Sequence, residues 1–168
     1  MTLAELNALD RTRFTALLGG VFEHSPWAAE CAWEQAPFAS VEALHAAMCA
    51  VVDAAGDDAA LQLLRAHPQL AGRAAVRGEL TEASTREQRG AGLDQCTPEE
   101  YERLQRLNAA YEERFGFPFI LAVRGHSRDS ILADMERRLG NTREAEFAQA
   151  LQQVRRIAAL RLHDMIGP

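Results

Sequence analysis

The chain has 168 residues, 48% of them apolar and 25% charged, and a formal charge of −6 from 18 basic and 24 acidic side chains. That is the make-up of one soluble globular domain, residues 1–168, able to bury a sizeable core without metal or disulfide staples. The acidic balance argues against a nucleic-acid partner, which needs a basic face for phosphates, but still allows a locally positive site for an anionic small molecule.

The basic residues are all arginine. Cys31, Cys49 and Cys96 are odd in number, far apart and without CxxC spacing, so they read as reduced thiols of a cytoplasmic protein. The N-terminus "MTLAELNALD" lacks a basic-then-apolar signal, and "HDMIGP" matches no lipidation or peroxisomal tag. No apolar run approaches the ~20 residues of a membrane span, so no membrane partner is expected.

Helix signals follow one another along the chain. "TLAE" is a capping box, with Thr2 as cap and Glu5 reaching back. Asp10 caps a second helix with Phe14, Leu17, Leu18, Val21 and Phe22 inward. "SPW" places Ser25 at a cap and Pro26 at the first helical position, and Pro37 ends that helix. Ser40 starts another, with Val41, Leu44, Met48, Val51 and Val52 inward and Gly56 as its stop. A run from Asp57 carries Leu61 and Leu64 toward His67, where Pro68 ends it.

The clearest helix is "TPEEYERLQRLNAAYEERFGFP": Thr97 caps, Pro98 opens, and Tyr101, Leu104, Tyr111 and Phe115 form its stripe. Gly116 and Pro118 then stop it. Further helices run from about Ser127 to Leu139 and from about Asn141 to Met165. The one β-like run, "FPFILAV", has no partner strand and reads as a buried extended connector. The expected fold is all-α, a single-domain irregular bundle of about seven or eight helices.

Three places put polar residues where apolar ones belong, and such breaks tend to be functional or strained. His67 shares a face with Leu61 and Leu64 at a helix end, so it is either a hydrogen-bonded C-cap or a proton-moving group. In "TEASTREQRGAGLD", Ser84 and Glu87 fit a capping box. With Thr81 as cap instead, Ser84, Glu87, Gln88 and Ala91 share one inward face, a poor core and a good binding wall. A buried Glu87 would need a partner, and His67 is one candidate.

Arg161 lies on the stripe Phe147, Leu151, Val154, Ala158 and Met165, where it must face a carboxylate of the protein or of a ligand. A structural ion pair is the more common account. The same stripe test makes Asn108 a buried hydrogen-bonding residue that fixes a helix end or the "FPFILAV" segment.

Other chemistries lack their signatures. Glu42 and His45 give half of a di-iron spacing with no second copy, and HExxH, the P-loop and GxGxxG are absent. His24, His126 and His163 read as surface or capping residues, and no cysteine has the histidine pattern of a nucleophile. No metal and no cofactor is expected.

"HPQLAGR", the run Ser84-Thr85-Arg86-Glu87-Gln88-Arg89-Gly90-Ala91-Gly92-Leu93-Asp94, "NAAYEERFGFPFILAVRG" and the closing "IAALRLHDMI" together resemble the 2-oxo-4-hydroxy-4-carboxy-5-ureidoimidazoline (OHCU) decarboxylases of uric acid breakdown. The resemblance covers nearly the whole chain and is looser from about residue 19 to 40. It implies a helical, cofactor-free homodimer that converts OHCU to (S)-allantoin and CO2.

Carried over by position, it makes His67 the catalytic histidine and Glu87 its partner carboxylate. Pro68, Ser84 and Gln88 become substrate-binding, as does the backbone of Phe119, Ile120, Leu121, Ala122 and Val123 toward the ureido and ring amides. Arg161 becomes an inward arginine near the substrate. On the residues alone, a non-catalytic helical ligand-binding module remains the alternative.

Overall fold

The computed structural model describes residues 1–167; Pro168, the last residue of "HDMIGP" and of the expected 1–168 domain, lies outside the described residues. The chain is all-α. Among the described residues there are ten α-helices and two 3₁₀ turns, and the β-type pairing is a single isolated bridge between Thr2 and Gly167. The excess over the expected seven or eight lies in helices of four to six residues. One of them, Arg73–Val76, has neither a side-chain cap nor an apolar period to announce it. No described helix is long and apolar enough to cross a membrane.

The chain falls into two compact units, Met1–Ala66 with the stretch from Val154 onward, and His67–Gln153. The first unit holds α1 (Leu3–Asn7), α2 (Arg11–Leu18), α3 (Trp27–Ala32), α4 (Val41–Ala54) and α5 (Asp57–Ala66). Three of its helices start where side-chain caps direct them. Thr2 and Glu5 form the capping box, Asp10 accepts from the Arg13 amide at 2.8 Å, and Ser40 accepts from the Ala43 amide at 3.1 Å. At "SPW" the expectation fails: the cap position is Pro26, with no side-chain cap bond, and Ser25 is buried just before it. On α3, Ala28, Ala29 and Ala32 are fully buried, so this helix packs through small side chains against α2 and α4. Leu6, Phe14, Leu18, Phe22, Leu44, Met48 and Leu64 fill the core beside them.

The second unit holds α6 (Arg73–Val76), α7 (Glu82–Gly90), α8 (Pro98–Phe115), α9 (Arg128–Leu139) and the first half of α10 (Arg143–Met165), the helix whose later half belongs to the first unit. Thr97 and Glu100 make the capping box of α8, and Ser127 caps α9 by accepting from the Ser130 amide at 3.1 Å. Gly116 closes α8 at φ +81°, a left-handed position that any side chain would strain.

The buried stripe of α8 is Leu104, Asn108, Tyr111 and Phe115. Tyr101, expected on that stripe, is 38% exposed, because it sits in the first turn ahead of the buried face. The "FPFILAV" run is the buried connector from α8 to α9, outside any helix or strand. Its rings extend the α8 core: Tyr111 lies 4.6 Å from Phe115, 5.4 Å from Phe119 and 6.0 Å from Phe117, centroid to centroid.

Candidate active site

His67 opens the second unit. Helix α5 stops at Ala66, and His67 is the half-buried residue between that helix end and Pro68. Proline disfavours helical geometry in the residue before it and fixes its own φ, so the local sequence dictates where the imidazole-bearing backbone leaves the helix.

The reading with Thr81 as cap holds for α7. Thr81 Oγ1 accepts from the Ser84 amide at 3.2 Å, and the helix runs Glu82–Gly90. Ser84 and Gln88 are 2% and 7% exposed, Ala91 just beyond is buried, and Glu87 is half-buried on the same side. An inward helix face thus carries a hydroxyl and an amide at i and i+4, with a carboxylate between them.

The Gln88 amide points back to the segment after His67. Its Oε1 accepts from the Ala71 amide at 2.9 Å, and its Nε2 donates to the Gln69 carbonyl at 3.3 Å. The helix bearing Glu87 is thereby tied to the loop bearing His67. This orientation was not legible in the sequence, which placed Gln88 on the wall but not its partners. Gln88 also borders a concavity of about 540 Å³ whose other walls include Ala71, Leu80, Leu93 and Tyr101.

The connector segment belongs to the same unit. Phe119, Ile120, Leu121, Ala122 and Val123 are all buried, and two of their backbone groups are held from the helices after them. Arg138 Nη1 donates to the Ile120 carbonyl at 2.7 Å, and the Ala122 amide donates to Gln153 Oε1 at 3.0 Å. These two groups are two residues apart, the spacing at which an extended chain presents one edge.

Sequence reasoning missed the anchor. Arg138 and Glu146 are both fully buried, their charged groups 2.9 Å apart, and the Tyr111 hydroxyl also donates to Glu146. The guanidinium stands 4.4 Å over the Phe119 ring. Burial, and then the bond to Glu146, push the Tyr111 hydroxyl well above the ordinary tyrosine range, so it stays a neutral donor. The stripe test that found Arg161 would have found this pair as well. Ile131, Met135 and Arg138 share one face, as do Glu146, Ala150 and Gln153.

Arg161 lies in the first unit. It is 5% exposed, as its stripe predicts, and the carboxylate facing it is Glu23, at 3.0 Å from Nη2 to Oε2. Its Nη1 donates to the Gly20 carbonyl at 3.2 Å. Pro68 is half-buried at the mouth of the 69–71 loop. Asn108 fixes neither a helix end nor the connector; its Nδ2 donates to the Leu70 carbonyl at 2.9 Å. No group of three or more metal-binding side chains occurs among the described residues.

The sequence and the fold of the chain resemble those of known proteins. The family model for OHCU decarboxylase matches residues 7–163. The chain belongs to the OHCU decarboxylase family. It is 47% identical to the 2-oxo-4-hydroxy-4-carboxy-5-ureidoimidazoline decarboxylase of Haloferax volcanii, over 96% of this chain and 94% of that one. It is 42% identical to the uric acid degradation bifunctional protein PucL of Bacillus subtilis, matching 98% of this chain and 33% of that one. Among solved structures, a crystal structure of (S)-allantoin synthase superposes with a TM-score of 0.80 at 35% identity. That match covers 99% of this chain, which spans about half of the synthase chain, 54%. Within the OHCU decarboxylase family, then, these are the segments to test: the His67 loop, the Ser84–Gln88 face and the 119–123 connector.

Proposed function

We propose that this protein is a decarboxylase that converts OHCU to (S)-allantoin and CO2 in uric acid degradation, and that the second unit carries the acid–base chemistry. The observation that carries this reading is the direct tie between the helix bearing Glu87 and the loop bearing His67, made by both ends of the Gln88 amide. Family membership supplies the reaction class, and the residue types fit its chemistry.

The substrate carries a carboxylate and a hydroxyl on one ring carbon, beside a ring C=N bond. When the bond to the carboxylate breaks, its electron pair moves toward that C=N, which takes up a proton at nitrogen. CO2 leaves, and an enol remains. The enol loses its hydroxyl proton and gains one at the ureido-bearing carbon, so one proton is consumed overall. Delivering that proton to one face gives one enantiomer. A histidine serves both directions near neutral pH, and a carboxylate beside it orients the ring and stabilises its charged form.

We assign these roles to His67 and Glu87. Ser84 and the backbone of residues 119–123 bind the amide-rich substrate, which suits neutral donors and acceptors. Pro68 lies against the substrate as a wall, and Gln88 contributes by holding the wall together. The role of Arg161 toward the substrate carboxylate rests on the resemblance; its observed partners Glu23 and Gly20 belong to the chain itself. The proposed working form is a single 1–168 domain, paired as a homodimer in the cytoplasm, in keeping with the resemblance and with three free cysteines.

The test is turnover of freshly generated OHCU, followed by its absorbance and by circular dichroism of the product. The expected result is accelerated loss of substrate with build-up of (S)-allantoin. A chain that binds OHCU or allantoin but speeds neither signal is the ligand-binding module instead.

A further inference from the structure

The three residues after Pro68 carry an unusual set of bonds. Gln69, Leu70 and Ala71 lie outside regular structure, and in such a segment each buried backbone group needs a partner from elsewhere. Four of their backbone groups are met by side-chain amides of two helices. From α7, Gln88 takes the Ala71 N–H at 2.9 Å and gives to the Gln69 carbonyl at 3.3 Å. From α8, Asn108 gives to the Leu70 carbonyl at 2.9 Å and Gln105 gives to the Ala71 carbonyl at 2.8 Å.

The clamped backbone is not relaxed. Ala71 is buried at φ +48°, in the left-handed region that penalises every residue with a Cβ. At Gly72 a Cβ would stand 2.7 Å from the Gln69 Cβ, so the chain passes there without room for a side chain. Strain of this kind persists where surrounding bonds over-determine the backbone, and it gathers at functional sites. Asn108 itself is 2% exposed, and its Oδ1 has no hydrogen-bond partner, a cost accepted for the bond its Nδ2 makes. Between the clamp and His67 stands a single residue, Pro68, with its fixed φ.

We infer that Gln105 and Asn108 of α8, together with Gln88 of α7, are positioning residues for the acid–base pair: they hold residues 69–71 and so fix where His67 stands relative to Glu87. This rests on the assignment of His67 and Glu87 made above. Neither Gln105 nor Asn108 carries an ionisable group, so they act on placement and not on proton affinity. The hydrogen bonds they make are to backbone, which a change in the loop's side chains would leave in place.

The test compares Gln105→Met, Asn108→Leu and His67→Asn in the full chain with OHCU as substrate. Gln105 is half-buried, so Gln105→Met keeps the fold if Asn108→Leu does not. Misplacement of a reacting group by about 1 Å costs up to about a hundredfold in rate. The expected result is a fall in kcat of about tenfold for Gln105→Met, with KM within about twofold and the pH profile of kcat unmoved. Adding Ala71→Gly, which removes the left-handed penalty, should recover about fivefold of that loss.

Unchanged kcat in Gln105→Met and Asn108→Leu overturns the positioning role. So does a loss that appears in KM, which marks a substrate contact, or a fall in kcat no larger than the fall in folded fraction read by thermal circular dichroism, which marks general destabilisation. If His67→Asn keeps wild-type kcat, the acid–base assignment fails first and the clamp's role falls with it. If His67→Asn is inactive and the clamp variants are normal, only the positioning role fails.

Discussion

His67→Asn should fold as the parent does and lose about 10²- to 10⁴-fold in kcat for OHCU decarboxylation, the usual contribution of a positioned acid–base group. Asparagine keeps a polar group of similar reach at the end of α5 but cannot carry a proton near neutral pH. Pro68 and the bonded loop after it remain, so the melting temperature should stay close to that of the parent. The product that still forms should lose its handedness, because water then protonates the enol from either face. Glu87→Gln is the companion: it keeps shape and hydrogen bonding while removing charge, so binding of allantoin should persist while the rate falls. Normal turnover by His67→Asn would remove the acid–base role. Loss of binding alone in Glu87→Gln, with rate per bound substrate intact, would make Glu87 a positioning group.

The second large effect concerns stability. Arg138→Met leaves Glu146 as a fully buried carboxylate without its guanidinium, which should cost about 3–5 kcal/mol. For a chain of this size that lowers Tm by roughly 10–15 °C, measurable by thermal circular dichroism. The Tyr111 hydroxyl and the Asn141 side chain still donate to Glu146, so the loss should fall short of complete unfolding. Arg138→Met combined with Glu146→Leu removes both charges and should recover much of the stability, because well-packed apolar groups often replace a buried ion pair at little cost. Recovery of activity should lag behind, since the bond from Arg138 to the Ile120 carbonyl is still missing. A double variant no more stable than the single one would show that the pair does more than offset its own burial.

Much of this was legible because it is local. Thr2, Asp10, Ser40, Thr81, Thr97 and Ser127 each cap a helix through bonds to residues three positions on, which a sequence displays directly. The inward face of α7 and the buried Arg161 followed from period alone. Illegible were the partners across the fold. Period places Gln88 inward, but nothing local says that its amide meets Gln69 and Ala71. Likewise Arg161 demanded a carboxylate without naming Glu23, 138 residues away in sequence. Period marks Arg138 and Glu146 as inward too, but nothing local shows that each is the other's partner. Ser25 failed as a cap because Pro26 took the cap position itself. The family resemblance adds what period cannot, the proposal of which polar positions act on substrate.

The most direct measurement is a crystal structure of the protein with allantoin bound. The account predicts allantoin in the second unit, with its ureido and ring amides bonded to the backbone of residues 119–123 and to Ser84, and its chiral carbon within hydrogen-bond reach of the His67 ring. Allantoin seated elsewhere, with His67 turned away from it and the 119–123 backbone untouched, would contradict it.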